Sequence, residues 1–145
     1  MDSFKPRLYQ SQAVMSTDDF WHVCKVNEKL SNRELCESII QRLSEVAIEE
    51  IIGFSRRYKL LINKLAVPDI LLAGDLIYEG YCSDDTFLYF RVWLVSQGKD
   101  LYCEALKNPD ILGQDLHEFE NTEPFLYIGI KAYCKKTGRK DFYKV

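Results

Sequence analysis

The chain has 145 residues, with 19 Lys plus Arg against 22 Asp plus Glu and a net charge of −3. That length suits one hydrophobic core and makes two independent ones marginal. The charge balance excludes a generally basic nucleic-acid binder, and 47% hydrophobic residues exclude a disordered chain.

Residues 1–15 hold scattered Phe4, Leu8, Tyr9 and Val14 without a sustained period, and read as a variable leader before a single helical domain over residues 16–145. Ser16 and Asp19 have capping-box spacing and open a first helix through Phe20, Trp21, Val23 and Cys24, expected to run to about Leu30. Ser31 and Glu34 repeat the box ahead of Leu35, Ile39, Ile40 and Leu43. Ser44 is expected to open a third helix carried through Ile51, Phe54, Tyr58, Leu61 and Leu65, with Gly53 marking a close helix contact. Arg56, Arg57 and Lys59 fall late in that helix, where cations suit the macrodipole. Pro68 fits the first turn of a fourth helix, with Ile70, Leu71, Leu72, Leu76 and Ile77 on its apolar face and Gly80 as its stop.

Cys82-Ser83-Asp84-Asp85 is the sharpest local signal, because a Ser or Asp cap precedes an acidic first turn. Phe87, Phe90, Trp93 and Leu94 then recur at core spacing, and Tyr89 and Val92 flank them. Gly98 closes this helix, and a short one over 100–107 ends at Asn108-Pro109. Residues 108–123 read as a polar loop, and a last helix follows Pro124 and ends at Thr137-Gly138. Strict alternation never persists, so strands are not expected. The fold class expected is all-α, a single compact domain of about six or seven short helices around an aromatic-rich core.

Five cysteines, Cys24, Cys36, Cys82, Cys103 and Cys134, are odd in number and contain no C-x-x-C pair. They read as reduced core thiols, and a cytoplasmic setting is expected. No apolar run approaches the ~18–20 residues of a membrane helix, and the first twenty residues show no signal-peptide core.

Catalytic constellations are sparse. His22 is expected to be packed and His117 solvated, with nothing to bring either beside a nucleophile. Adjacent acids such as Asp84-Asp85 diverge on a helix and do not form a two-carboxylate site. Cys82, Asp84, Asp85 and His117 mix soft and hard donors at no recognised ligand spacing. Neither metal nor cofactor is expected, and the chain reads as no enzyme. Charge distribution says more: residues 79–123 hold ten acids and three bases, a net −7, and residues 124–145 carry a net +5.

The segment Cys82-Ser83-Asp84-Asp85-Thr86-Phe87, with Tyr89-Phe90-Arg91, Trp93-Leu94 and Ser96-Gln97-Gly98, resembles the hallmark of the bacterial domain of unknown function 4240 family. Ala105-Leu106, Asn108-Pro109-Asp110, Asp19-Phe20-Trp21, Phe125-Leu126-Tyr127 and Thr137-Gly138 extend the likeness over about residues 17–138. Tyr81 departs from it, standing where a small residue is usual. The resemblance implies a small helical bacterial domain without an established enzymatic activity, some of whose members resemble immunity proteins of toxin systems.

The function expected is a non-enzymatic binding protein, an immunity protein that neutralises a cognate bacterial toxin with a basic surface, such as a nuclease. Its acidic contact surface is assigned to Glu79, Asp84, Asp85, Asp115, Glu118, Glu120 and Glu123, and Ser83, Arg91 and Gln97 are the remaining motif polars. One alternative is a ligand module or enzyme centred on Cys82–Asp85 and Arg91; another is a nucleic-acid-linked regulator using Arg56, Arg57, Lys59 and the basic tail. Membrane and nucleic acid are not the expected partners.

Overall fold

The computed structural model describes residues 13–25, 30–77, 80, 82–113 and 122–142. Among these, seven α-helices follow one another without a strand: α1 (Thr17–Val23), α2 (Asn32–Ser44), α3 (Ile48–Lys64), α4 (Pro68–Ile77), α5 (Asp84–Ser96), α6 (Lys99–Lys107) and α7 (Ile128–Thr137). Short 3₁₀ turns cover Pro109–Gly113 and Glu123–Tyr127. The all-α expectation therefore holds.

Helix starts follow local side-chain chemistry. Ser16 Oγ accepts from the Asp19 N–H at 3.1 Å. Ser31 and Glu34 make a complete capping box, with bonds of 3.1 and 3.2 Å. Two ends differ from the sequence reading. The first helix stops at Val23, well short of Leu30. Ser44 is the last residue of α2, bonding back to the Gln41 carbonyl, and α3 begins after an Ala47 cap that has no side-chain bond.

The 17-residue α3 is the central element, packing against α1, α2, α5 and α7. Phe20 stacks on Phe54 at 4.8 Å, and Tyr58 meets both rings edge-on at 5.5 and 5.9 Å. Such offset and edge contacts add to the area that the rings bury. Phe90, Leu94, Phe125 and Tyr133 complete the core from α5, the second 3₁₀ turn and α7. Cys24, Cys36 and Cys82 are buried free thiols, and Cys103 and Cys134 are half-buried.

Gly53 does mark a close approach, but its neighbour is extended chain rather than a helix. A Cβ there would lie 2.9 Å from the Met15 backbone nitrogen, which donates to the Gly53 carbonyl at 3.0 Å. Arg57 Nε donates to the Met15 carbonyl at 2.7 Å and Arg56 to that of Ala13 at 3.2 Å. Residues 13–15 are thus tied to α3; residues 1–12 lie outside the described residues.

Helix α4 departs further. Only Ile70 and Gly74 are buried, and Leu72 and Leu76 are 58% and 72% exposed. Gly74 lets Phe90 approach closely: a Cβ there would lie 3.2 Å from the Phe90 ring, which would have to shift by a few tenths of an ångström. The expected polar loop after residue 108 begins instead with the first 3₁₀ turn, which buries Leu112. The helix expected after Pro124 divides into the second 3₁₀ turn and α7, which ends at Gly138 in the left-handed conformation, φ +72°.

At the crossing of α3 and α7, a Cβ on Gly129 would fall 1.8 Å from Ser55 Oγ and 3.2 Å from Ser55 Cβ. Gly129→Ala is therefore expected to lower stability by about 1–3 kcal/mol, read in urea denaturation. Adding Ser55→Ala should recover only part of this, because the Cβ contact persists.

Candidate functional site

The motif of residues 82–98 is mainly a device for joining helices. Ser83 Oγ accepts from the Thr86 N–H at 3.2 Å and bonds Thr86 Oγ1 at 2.9 Å, so this hydroxyl caps α5. The Cys82 thiol is buried, and its pKa is raised by burial first and Asp75 second, with Arg91 acting the other way. A raised pKa is the opposite of what a reactive thiolate requires. Gln97 ends α5 with its backbone N–H on the Trp93 and Leu94 carbonyls, and its side chain reaches Ser96 Oγ at 3.4 Å.

Arg91 has the capping role that the sequence did not disclose. Its Nη1 donates to the Ile62 carbonyl at 3.2 Å and its Nε to that of Phe87 at 3.3 Å, while the guanidinium lies 4.5 Å from the centre of the Phe87 ring. Desolvation lowers its pKa from the usual arginine value. One residue earlier in α3, the Tyr102 hydroxyl donates to the Leu61 carbonyl at 2.9 Å. The Leu65 N–H that would complete the helical pattern at Leu61 turns to Ile62 and Asn63 instead. The Tyr102 hydroxyl of α6 thus supplies the Leu61 carbonyl that the Leu65 N–H leaves, and Arg91 of α5 adds a second bond to the Ile62 carbonyl.

Of the expected acidic surface, Asp84, Asp85 and Glu123 are described, and all three are exposed. Glu79, Asp115, Glu118 and Glu120 lie outside the described residues, as does His117. Asp85 in the first turn of α5 and Glu123 at the start of the second 3₁₀ turn both act electrostatically on Tyr89. The charge of Glu123 is the main cause raising the pKa of the Tyr89 hydroxyl; burial, Asp85 and Tyr127 add to it. Thr122 Oγ1, bonding the Tyr89 carbonyl at 3.5 Å, holds the turn against α5. Tyr127, on the same turn, is 40% exposed. Among the described residues, no cation pairs with Asp84, Asp85 or Glu123.

The tyrosines were the unread part of this face. Asp85 and Tyr89 are four apart on one helix, a spacing that places them together. In the sequence Tyr89 is one aromatic among many on a core helix.

The remaining candidates disperse. Arg56 and Arg57 are engaged with residues 13–15, and Arg139 pairs with Asp141 at 2.5 Å. His22 is exposed on α1, not packed as expected. Among the described residues, no group of three or more His, Cys, Asp or Glu side chains could hold a metal ion, and no helix is long and apolar enough to cross a membrane.

These features define an all-α domain with internally capped helices and an exposed acidic-tyrosine face. The chain belongs to the family described as protein of unknown function, DUF4240, whose model matches residues 15–135. No curated protein and no solved structure matches the chain.

Two outcomes follow. Arg91→Met should cost about 2–3 kcal/mol in urea denaturation, as befits charged hydrogen bonds, and Arg91→Lys should restore little because one ammonium cannot reproduce the guanidinium fork. Glu123→Gln should bring the Tyr89 pKa down toward the ordinary phenol value near 10, because removing a neighbouring negative charge makes the phenolate easier to form; NMR titration of ring-labelled tyrosine reads the shift.

Proposed function

We propose that this protein is a non-enzymatic binding protein, an immunity protein that neutralises a basic bacterial toxin by covering its active surface. The observation that carries the reading is the exposure of Asp85, Glu123 and Tyr127 on two elements that Thr122 holds together, with no cationic partner for the acids among the described residues. Acids without cationic partners repel one another in the free protein, and a basic partner relieves that repulsion. Tyrosine supplies rigid contact area with a polar tip, which suits it to an interface centre. Asp84, exposed beside Asp85, extends the same charge. Complementary charge accelerates encounter as well as selecting the partner. A nuclease is the partner class we favour, since its substrate-binding surface must be cationic.

The Cys82–Arg91 segment supports a catalytic reading less well. Its serine is a cap, its thiol has a raised pKa, and its arginine faces a backbone carbonyl.

The test compares the wild type with Asp84→Asn/Asp85→Asn/Glu123→Gln. Tagged wild type should retain one stoichiometric basic protein from host lysate, and the purified pair should associate at least about tenfold faster than the triple variant at low salt. The variant's rate should also depend less on ionic strength. Equal association rates at low salt would remove this face from the interface.

A further inference from the structure

Beneath the second 3₁₀ turn lies a half-open cavity of about 330 Å³, separate from the charged face above it. Its apolar surface comes from Tyr58 and Ile62 of α3, Leu88 of α5, Phe125 and Leu126 of the turn, and Phe142 beyond α7. Its polar lining on α3 is Ser55, Lys59 and Asn63, which recur every four residues and so follow one side of the helix. Ser55 is pressed against Gly129, and Lys59 and Asn63 are exposed. Lys59 makes no ion pair with any described residue.

Volume and chemistry together limit the occupant. A cavity of about 150 Å³ holds benzene, so this one accommodates roughly twice as many carbons. An apolar pocket with a few polar groups at one side is the usual form of a small-molecule site. The cation at that side selects the sign of the ligand's head group, and the remaining walls offer no second charge that a zwitterion or dianion would require. We propose that the cavity binds a medium-chain monocarboxylic acid, its alkyl chain between Phe125, Leu126 and Ile62 and its carboxylate at Lys59.

Octanoate and 1-octanol differ only in the head group and serve as the probes, followed by calorimetry and by NMR contacts from the probe methyl to Phe125 and Leu126. Octanoate should bind the wild type below about 1 mM and more tightly than octanol. Lys59→Gln should weaken octanoate about fivefold, the scale of one exposed charge pair, and leave octanol unchanged. Leu126→Trp fills the cavity from a half-buried position and should abolish both, with circular dichroism confirming the fold; if that variant does not fold, the Lys59→Gln comparison decides alone. The proposal is overturned if octanoate fails to bind at that concentration, if it binds no better than octanol, if Lys59→Gln leaves its affinity unchanged, or if binding survives in folded Leu126→Trp.

Discussion

The last turn of α3 sets the condition that the rest of the molecule meets. The Leu65 N–H turns from the Leu61 carbonyl to those of Ile62 and Asn63, so the Leu61 carbonyl needs a new donor and the Ile62 carbonyl has capacity for a second. They find them on two later elements, the Tyr102 hydroxyl of α6 and the Arg91 guanidinium of α5. Apolar contact between helices tolerates sliding, whereas two directional bonds to successive carbonyls do not. The positions of α5 and α6 along α3 are thereby fixed, and with them the N-terminus of α5 that presents Asp84 and Asp85.

The same solution recurs at the other joints. Arg42 donates Nε and Nη2 to the Val23 carbonyl at 2.9 and 2.7 Å, fastening the end of α1 to α2. Arg56 and Arg57 hold the backbone of residues 13–15. Guanidinium suits these places because its several donors stand in a rigid fork and it sheds water more readily than ammonium. The opposite end of the molecule uses carboxylate instead: Asp141 accepts from Tyr133 at 2.7 Å and pairs with Arg139, folding the chain after α7 back so that Phe142 meets Tyr133. The second 3₁₀ turn has two faces in consequence, Glu123 and Tyr127 toward solvent and Phe125 and Leu126 toward the interior.

What could be read in the sequence was what is encoded within a few residues. Caps at Ser16, Ser31 and Ser83 announce themselves because donor and acceptor are three residues apart. The aromatic stripe of α5 does so by its period. Arg91 could not be read, because its acceptor lies 29 residues away, and no local pattern distinguishes an arginine that caps another helix from one in solvent. Gly53 was recognised as a close approach but assigned to a helix, since the need for space does not name the neighbour. Leu72 and Leu76 looked like core because apolar periodicity reports a face without saying that anything covers it. On the acidic face, the charge excess was plain from composition, but the role of Tyr89 depends on a turn that begins 34 residues later.

The inward use of arginine bears on how the folded molecule is met from outside. Arg42, Arg56, Arg57 and Arg91 all direct guanidinium donors to neutral carbonyls, so they anchor backbone without pairing with any carboxylate among the described residues. The cations are drawn toward the interior while Asp84, Asp85 and Glu123 remain outside. A net charge of −3 counts both groups equally, yet an ion-exchange resin or an approaching macromolecule senses mainly the outer one. Around Asp84, Asp85 and Glu123 the folded surface is accordingly more acidic than the net charge alone declares.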